Sequence, residues 1–319
     1  MPRAFDLSKL TVLPLSERHH DLNLSVIHDL TPTTEARPEL QAVAERILRA
    51  RERGAAVVLM MGAHVIRAGV QRYVIDLMER GLVTCLAGNG ACAIHDFELA
   101  LIGQTTESVA HYIKDGRFGL WSETGRLNDV VSEGAARGLG VGQAVGEAIL
   151  DGDFPHQDVS LFAAARRLDI PFTVHVSMGY DIVHEHPNCD GAAWGAASHK
   201  DFLHFAAVLE SLEGGVVMNF GSAVMAPEVY LKALAMVRNV AAREDREVRH
   251  FTTLVCDLRE LPADFSSEAP KNSAEYYFRP WKTMLVRTVA DGGESYYVRG
   301  MHNVTIPELW TALTAAQER

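Results

Sequence analysis

Residues Ala55–Ala91, AAVVLMMGAHVIRAGVQRYVIDLMERGLVTCLAGNGA, decide the fold. Ala55 to His64 is an unbroken apolar run that ends in Gly-Ala, the pattern of a strand buried on both faces. An amphipathic helix over about Arg67 to Arg80 follows, closed by Gly81, and LVTCLAG (Leu82–Gly88) reads as the next buried strand. Two such strands joined by one helix must run parallel through a right-handed crossover.

The pattern recurs outward from this unit. Pro171–Gly179, Gly214–Val224 and His250–Leu258 read as further buried strands. HKDFLHFAAVLESL and PEVYLKALAMVRNVA read as the helices between them, the second opening on Pro227, a residue suited to a first helical turn. Upstream, Leu40, Val43, Ala44, Ile47 and Leu48 share a helical face that Gly54 stops. GRLNDVVSEGAARGLGVGQAVGEAILDG reads as two short helices broken near Gly138 and Gly140. Its GLGVGQAVG follows helical sequence, so its glycines predict helix packing rather than a dinucleotide turn. KTMLVRTVADGGESYYVRG has two β-rich runs around Asp291-Gly292-Gly293 and predicts a C-terminal antiparallel hairpin, followed by a short helix. The expected fold is therefore Rossmann-like α/β, a doubly wound, mostly parallel sheet with helices on both faces. Residues 1–36 predict an arm that wraps the body or a partner subunit, and 37–319 the domain itself.

With 41 acids against 30 Lys and Arg, the net charge of −11 disfavours nonspecific binding to nucleic acid or anionic lipid. No apolar run approaches the length of a membrane span. Cys85, Cys92, Cys189 and Cys256 are scattered without a CxxC pair, so reduced thiols and a cytoplasmic location are the expectation.

Ligands on such sheets bind beyond the carboxyl ends of the strands. Three of those ends carry small residues: Gly62-Ala63-His64, Gly88-Asn89-Gly90-Ala91, and Asn219-Phe220-Gly221-Ser222. Glycine there lets backbone amides approach a phosphate or ribose, which suits a phosphate-bearing cofactor; tight strand-to-helix turns are the plainer use of the same residues. Asp96 and Glu98, early on the next helix, are candidate acceptors for ribose hydroxyls or complements to the helix dipole. The stretch HVSMGYDIVHEHPNCDGAAWG (His175–Gly195) offers His184 and His186 with Asp190 or Cys189 as ligands for zinc or iron, hence an alternative metal-dependent hydrolase, or simply a polar loop at a strand end. Lys282 stands among aromatics in YYFRPWKTML, where partial desolvation would favour nucleophilic use and a snorkelling surface lysine is the bland alternative. No Gly-x-Ser-x-Gly elbow and no P-loop occurs.

The run GAHVIRAGVQRYVIDLMERGLVTCLAGNGACAIHDFELAL (Gly62–Leu101) resembles the N-terminal cofactor segment of the deoxyhypusine synthase family. DGAAWG (Asp190–Gly195) is similar to that family's Asp-Gly-Ser-Leu-Gly substrate segment, and GGVVMNFGSAV to its Gly-rich strand end, over about residues 60–260. The resemblance implies a Rossmann-like core in a homo-oligomer, a dimer or a homotetramer built from dimers, with NAD and an amine substrate at a subunit interface. It implies oxidation of a polyamine by NAD and passage of an aminobutyl group through an imine on a lysine. By position, His64, Asn89, Gly90, Ala91, Asp96 and Glu98 would lie along NAD, Asp190 would meet the substrate amine, and Lys282 would be the catalytic lysine. In AEYYFRPWK, however, Trp281 directly precedes the lysine, and GSAVMAPEVYLKAL lacks the family's histidine. A catalytically silent relative that only binds is the third reading.

Overall fold

A computed structural model describes residues 3–317. Six parallel strands form the central sheet: β1 (Val57–Met61), β2 (Cys85–Gly88), β3 (Phe172–Val174), β4 (Val216–Phe220), β5 (Thr252–Asp257) and β6 (Glu294–Arg299). Their order across the sheet is β3-β2-β1-β4-β5-β6. The chain thus winds outward from β1 in one direction, returns, and winds outward from β4 in the other, the Rossmann arrangement. Every residue of β1 is buried, because helices cover both faces.

One face collects Val57, Leu59 and Met61 under α1 (Pro38–Arg53), α2 (Gln71–Glu79), α3 (Gly90–Ile102) and α9 (His302–Gln317). The other collects Val58, Met60, Val217 and Val255 under α7 (Gly191–Leu209) and α8 (Met225–Arg243). The period-two alternation along each strand thereby supplies both cores at once. Among the described residues no helix is long and apolar enough to cross a membrane.

Two elements differ from the sequence expectation. The helix expected over about Arg67 to Arg80 is split into a short turn, His64–Arg67, and α2, by Gly69 at φ 72°. A Cβ on Gly69 would overlap the carbonyl of Val26, and His28 donates to the Gly69 carbonyl at 2.8 Å, so the break receives the N-terminal arm. The C-terminal hairpin is replaced by a helical segment, Pro280–Arg287, that crosses over to β6, and β6 pairs parallel with β5 from Thr252↔Glu294 to Asp257↔Arg299. Trp281, Met284, Leu285 and Val289 recur at helical spacing on the buried side, and Pro280 suits a first turn. Asp291-Gly292-Gly293, with Gly292 at φ 111°, ends that helix instead of turning a hairpin.

The edge strand β3 is closed from outside, as exposed edges must be to resist pairing with other chains. After α4 (Ser122–Ala136), residues of GLGVGQAVG make α5 (Val141–Asp151), whose Gly142 lies flat on the carbonyl of Phe172. Asp201 of α7 accepts from the amides of Gly142 at 3.0 Å and Val174 at 2.8 Å, and Ser198 donates to the Val174 carbonyl at 2.9 Å. Burial pushes the Asp201 carboxyl up to about 7, against the backbone amides that favour its charge. A carboxyl raised in the folded state binds its proton more tightly there than in the unfolded chain. Its contribution is complete below the ordinary value of 3.8 and is lost as pH rises through about 7. Buried His95 and His175, depressed to about 4 and 3, act in the opposite sense, but only below the ordinary histidine value of 6.5. Thermal unfolding between pH values of about 6.5 and 8 is therefore expected to show stability falling with pH, and Asp201→Asn to flatten that slope. An unchanged slope in the variant would remove Asp201 as its source.

Candidate functional site

In a sheet of this order the crevice forms where the winding reverses, between the carboxyl ends of β1 and β4. The structure has a cavity of about 410 Å³ there. It is lined by His64, Arg67 and Ala68 after β1, Gly221 after β4, Asp257 and Leu258 at the end of β5, Met301 and His302 after β6, and Leu22 from the arm. Every strand from the reversal to the β6 edge thus delivers a corner to one place.

The two inner corners touch. A Cβ on Gly62 would sit 3.0 Å from the carbonyl oxygen of Gly221, and one on Gly221 would strike the His302 ring. Gly221 also sits at φ 70°, where side-chain-bearing residues are strained. Ser222, next in line, faces inward: its amide donates to Asn219 Oδ1 at 3.1 Å and its hydroxyl accepts from Ala226 at 3.1 Å. Ala63 is buried in the first turn.

The polar groups of the cleft are sparse and only partly engaged. Arg67 Nη1 lies 3.3 Å from His64 Nε2, and neither Arg67 nor Asp257 forms an ion pair among the described residues. Asp257 spends Oδ1 on the amides of Leu258 (2.7 Å) and Arg259 (3.1 Å). His302 has a buried Nδ1 without a hydrogen-bond partner. Burial holds the imidazoles of His64 and His302 below the usual histidine value; Arg67 adds to this at His64, and Asp257 opposes it at His302.

The second glycine turn goes elsewhere. Asn89 caps α3 by accepting from Cys92 at 3.2 Å. The Asp181 carboxylate packs on Gly90, and the nearby Ala91 amide favours its charge, so it takes the position an anionic ligand would take at this helix start. Burial raises Asp181 to about 6. Asn89, Gly90 and Ala91 are therefore not brought to the cleft.

Asp96 and Glu98 require a correction as ribose acceptors, because both are 1% exposed and fully engaged. Asp96 caps α6 (Leu161–Arg167), accepting from the Leu161 amide at 2.8 Å and from the Ser160 hydroxyl, and burial raises it to about 6. Glu98 forms a bidentate pair with Arg18 of the arm at 2.9 and 2.7 Å and accepts from Thr105 and Thr124. Its burial is outweighed by Arg18 and the Thr124 hydroxyl, which hold it below the usual carboxylate range. The physical reason is that α3 is apolar on nearly all sides, so an acid on it lies inside the protein.

The metal reading loses its ligands to other duties. His184 Nδ1 accepts from Gly179 and Asp181, His186 Nε2 meets the Gly119 carbonyl at 2.7 Å, and exposed Asp190 caps α7 by accepting from Ala192 at 2.8 Å. No group of three potential metal ligands occurs among the described residues. Lys282 is 8% exposed and its Nζ lies 3.9 Å from the centroid of the Tyr276 ring, off the cleft lining. A second cavity, of about 440 Å³, opens beside β3 at the amino ends of the strands. It is mainly apolar, and its buried acid, Asp201, is already spent on backbone amides.

The structure places two sequence candidates, His64 and Gly221, on the cleft lining, with Gly62 against Gly221; Arg67, Asp257 and His302 line it as well without having been singled out in the sequence. The rule that strand ends line the crevice, applied to "TTLVCD" and "VRGMH", was the signal for the last two.

Residues 41–152, about a third of the chain, match the family described as arginine dihydrolase ArgZ-like, C-terminal, Rossmann fold. Unliganded AgrE superposes with a TM-score of 0.53 at 16% identity, over 87% of this chain and 32% of that one. The ternary complex of AgrE with ornithine and NAD+ gives 0.50 at 18% identity, over 88% and 33%. This chain thus spans about a third of the length of those proteins. An Entamoeba histolytica protein assigned as a deoxyhypusine synthase gives 0.44 at 9% identity over 87% of each chain, a weaker likeness. No curated protein matches the sequence. What these comparisons establish is the α/β Rossmann fold.

Proposed function

We propose that the cleft at the strand reversal is an NAD site and that the chain is an NAD-linked enzyme acting on a small, amine-bearing substrate. The observation that carries this is the cavity at the reversal of a β3-β2-β1-β4-β5-β6 sheet, where the turns after β1 and β4 meet at Gly62 and Gly221. The missing side chains let both turns and the His302 ring close in at the reversal, beside a cavity whose His64, Arg67, Gly221, Asp257 and His302 lining offers a nucleotide polar partners. AgrE, which shares the strand scaffold, has been captured with ornithine and NAD+. Bound there, NAD supplies a hydride acceptor. Asp257, with one oxygen uncommitted, gives an ammonium group a partner. His302, held below the usual histidine value by burial, stands on the same wall to take a proton from the amine as its carbon is oxidised.

The resemblance raises a finer reading, transfer of an aminobutyl group through an imine on Lys282. That amine lies on the Tyr276 ring and off the cleft lining, so the proposal rests on oxidation and leaves Asp190 as a helix cap. NAD at about one hundred times its dissociation constant is expected to stabilise the protein by about 2.7 kcal/mol, seen as a rise of several degrees in Tm. No shift at millimolar NAD contradicts the reading.

A further inference from the structure

The turn after β1 lacks what Rossmann proteins commonly use to hold a diphosphate. There is no GxGxxG, and the helical turn His64–Arg67 is too short to present a sustained dipole. The α3 start, which could have served instead, already holds the Asp181 carboxylate. A dianionic diphosphate at this reversal therefore needs a side-chain cation. The cleft has one guanidinium, Arg67, on the wall that follows β1. It forms no ion pair among the described residues, and its Nη1 is braced by His64 Nε2 at 3.3 Å. The only carboxylate lining the cavity, Asp257, follows β5 and does not pair with Arg67. His302, from β6, faces the same space.

Resting on the NAD reading above, we infer that Arg67, positioned by His64, is the diphosphate anchor of the cleft and replaces the amide cradle of a glycine-rich loop. A planar guanidinium suits this task because it meets phosphate oxygens with two parallel hydrogen bonds. The ligand class is then a diphosphate-linked dinucleotide.

Calorimetric titration of the full chain with NAD, at several salt concentrations, tests this. Arg67→Ala is expected to raise the Kd about 10- to 100-fold, the loss of charge-assisted hydrogen bonds. It should flatten the rise of Kd with salt and leave the ligand-free Tm unchanged, because Arg67 is exposed. Arg67→Lys should recover part of the affinity. Wild-type affinity in Arg67→Ala overturns the inference while leaving the NAD reading intact. So does a loss of affinity with an unaltered salt dependence. Absence of NAD binding in the wild-type chain overturns both.

Discussion

Arg18→Ala is expected to cost about 3–5 kcal/mol of folding stability, because it strands a buried carboxylate. Arg18 and Glu98 are each 1% exposed at the side chain, and the guanidinium supplies two of the carboxylate's hydrogen bonds. Thr105 and Thr124 would remain as donors, but hydroxyls cannot neutralise the charge. The loss is large because of what is left behind, not because the pair itself is strongly stabilising. A double variant, Arg18→Met with Glu98→Gln, should therefore recover most of the loss. The pair also pins the arm whose Leu22 roofs the cleft, so the single variant should expose residues before α1 to proteolysis. Urea unfolding of the three proteins checks this. A single variant within about 1 kcal/mol of wild type would show that the pair is not buried as described.

The second large effect is expected at Gly142. Its α-carbon rests on the Phe172 carbonyl, a backbone atom that cannot rotate aside, and its amide donates to Asp201. In Gly142→Ala, α5 must withdraw from the edge strand and give up the Asp201 cap. Overpacking and a lost buried hydrogen bond together should cost about 3–4 kcal/mol. Gly195→Ala is the control: nothing lies within 4 Å of its Cβ position, and it sits inside α7 with no positive φ. It should gain about 0.5–1 kcal/mol. Equal effects at the two positions would contradict the packing described for β3.

Which parts of this architecture the sequence discloses follows from the range of the forces involved. The apolar runs at β1 and β2 report local burial on both faces, and with the helix between them they set the parallel winding. The glycines of GLGVGQAVG betray helix packing because they follow helix rather than strand. Pro280 to Val289, by contrast, is both β-rich in composition and helical in spacing; tertiary context decides, since a parallel β6 requires a crossover. The cleft is harder to read still. Gly62 and Gly221 come from adjacent strands far apart in sequence, and only the strand order brings Asp257 and His302 to them. Asp96, Glu98 and Asp181 show the converse difficulty. Asp96 and Asp181 answer the positive potential of a helix start and Glu98 answers the Arg18 guanidinium, attractions that a carboxylate meets whether it serves a cofactor or the protein.

The central claim is that a nucleotide settles in the cavity where the turns after β1 and β4 meet. A crystal structure of the full chain grown with NAD tests it most directly. The account predicts the dinucleotide in the cavity over Gly221, beside His64 and Arg67, with Asp257 and His302 on the far wall. NAD seated in the cavity beside β3, or an empty cleft at saturating NAD, would contradict it.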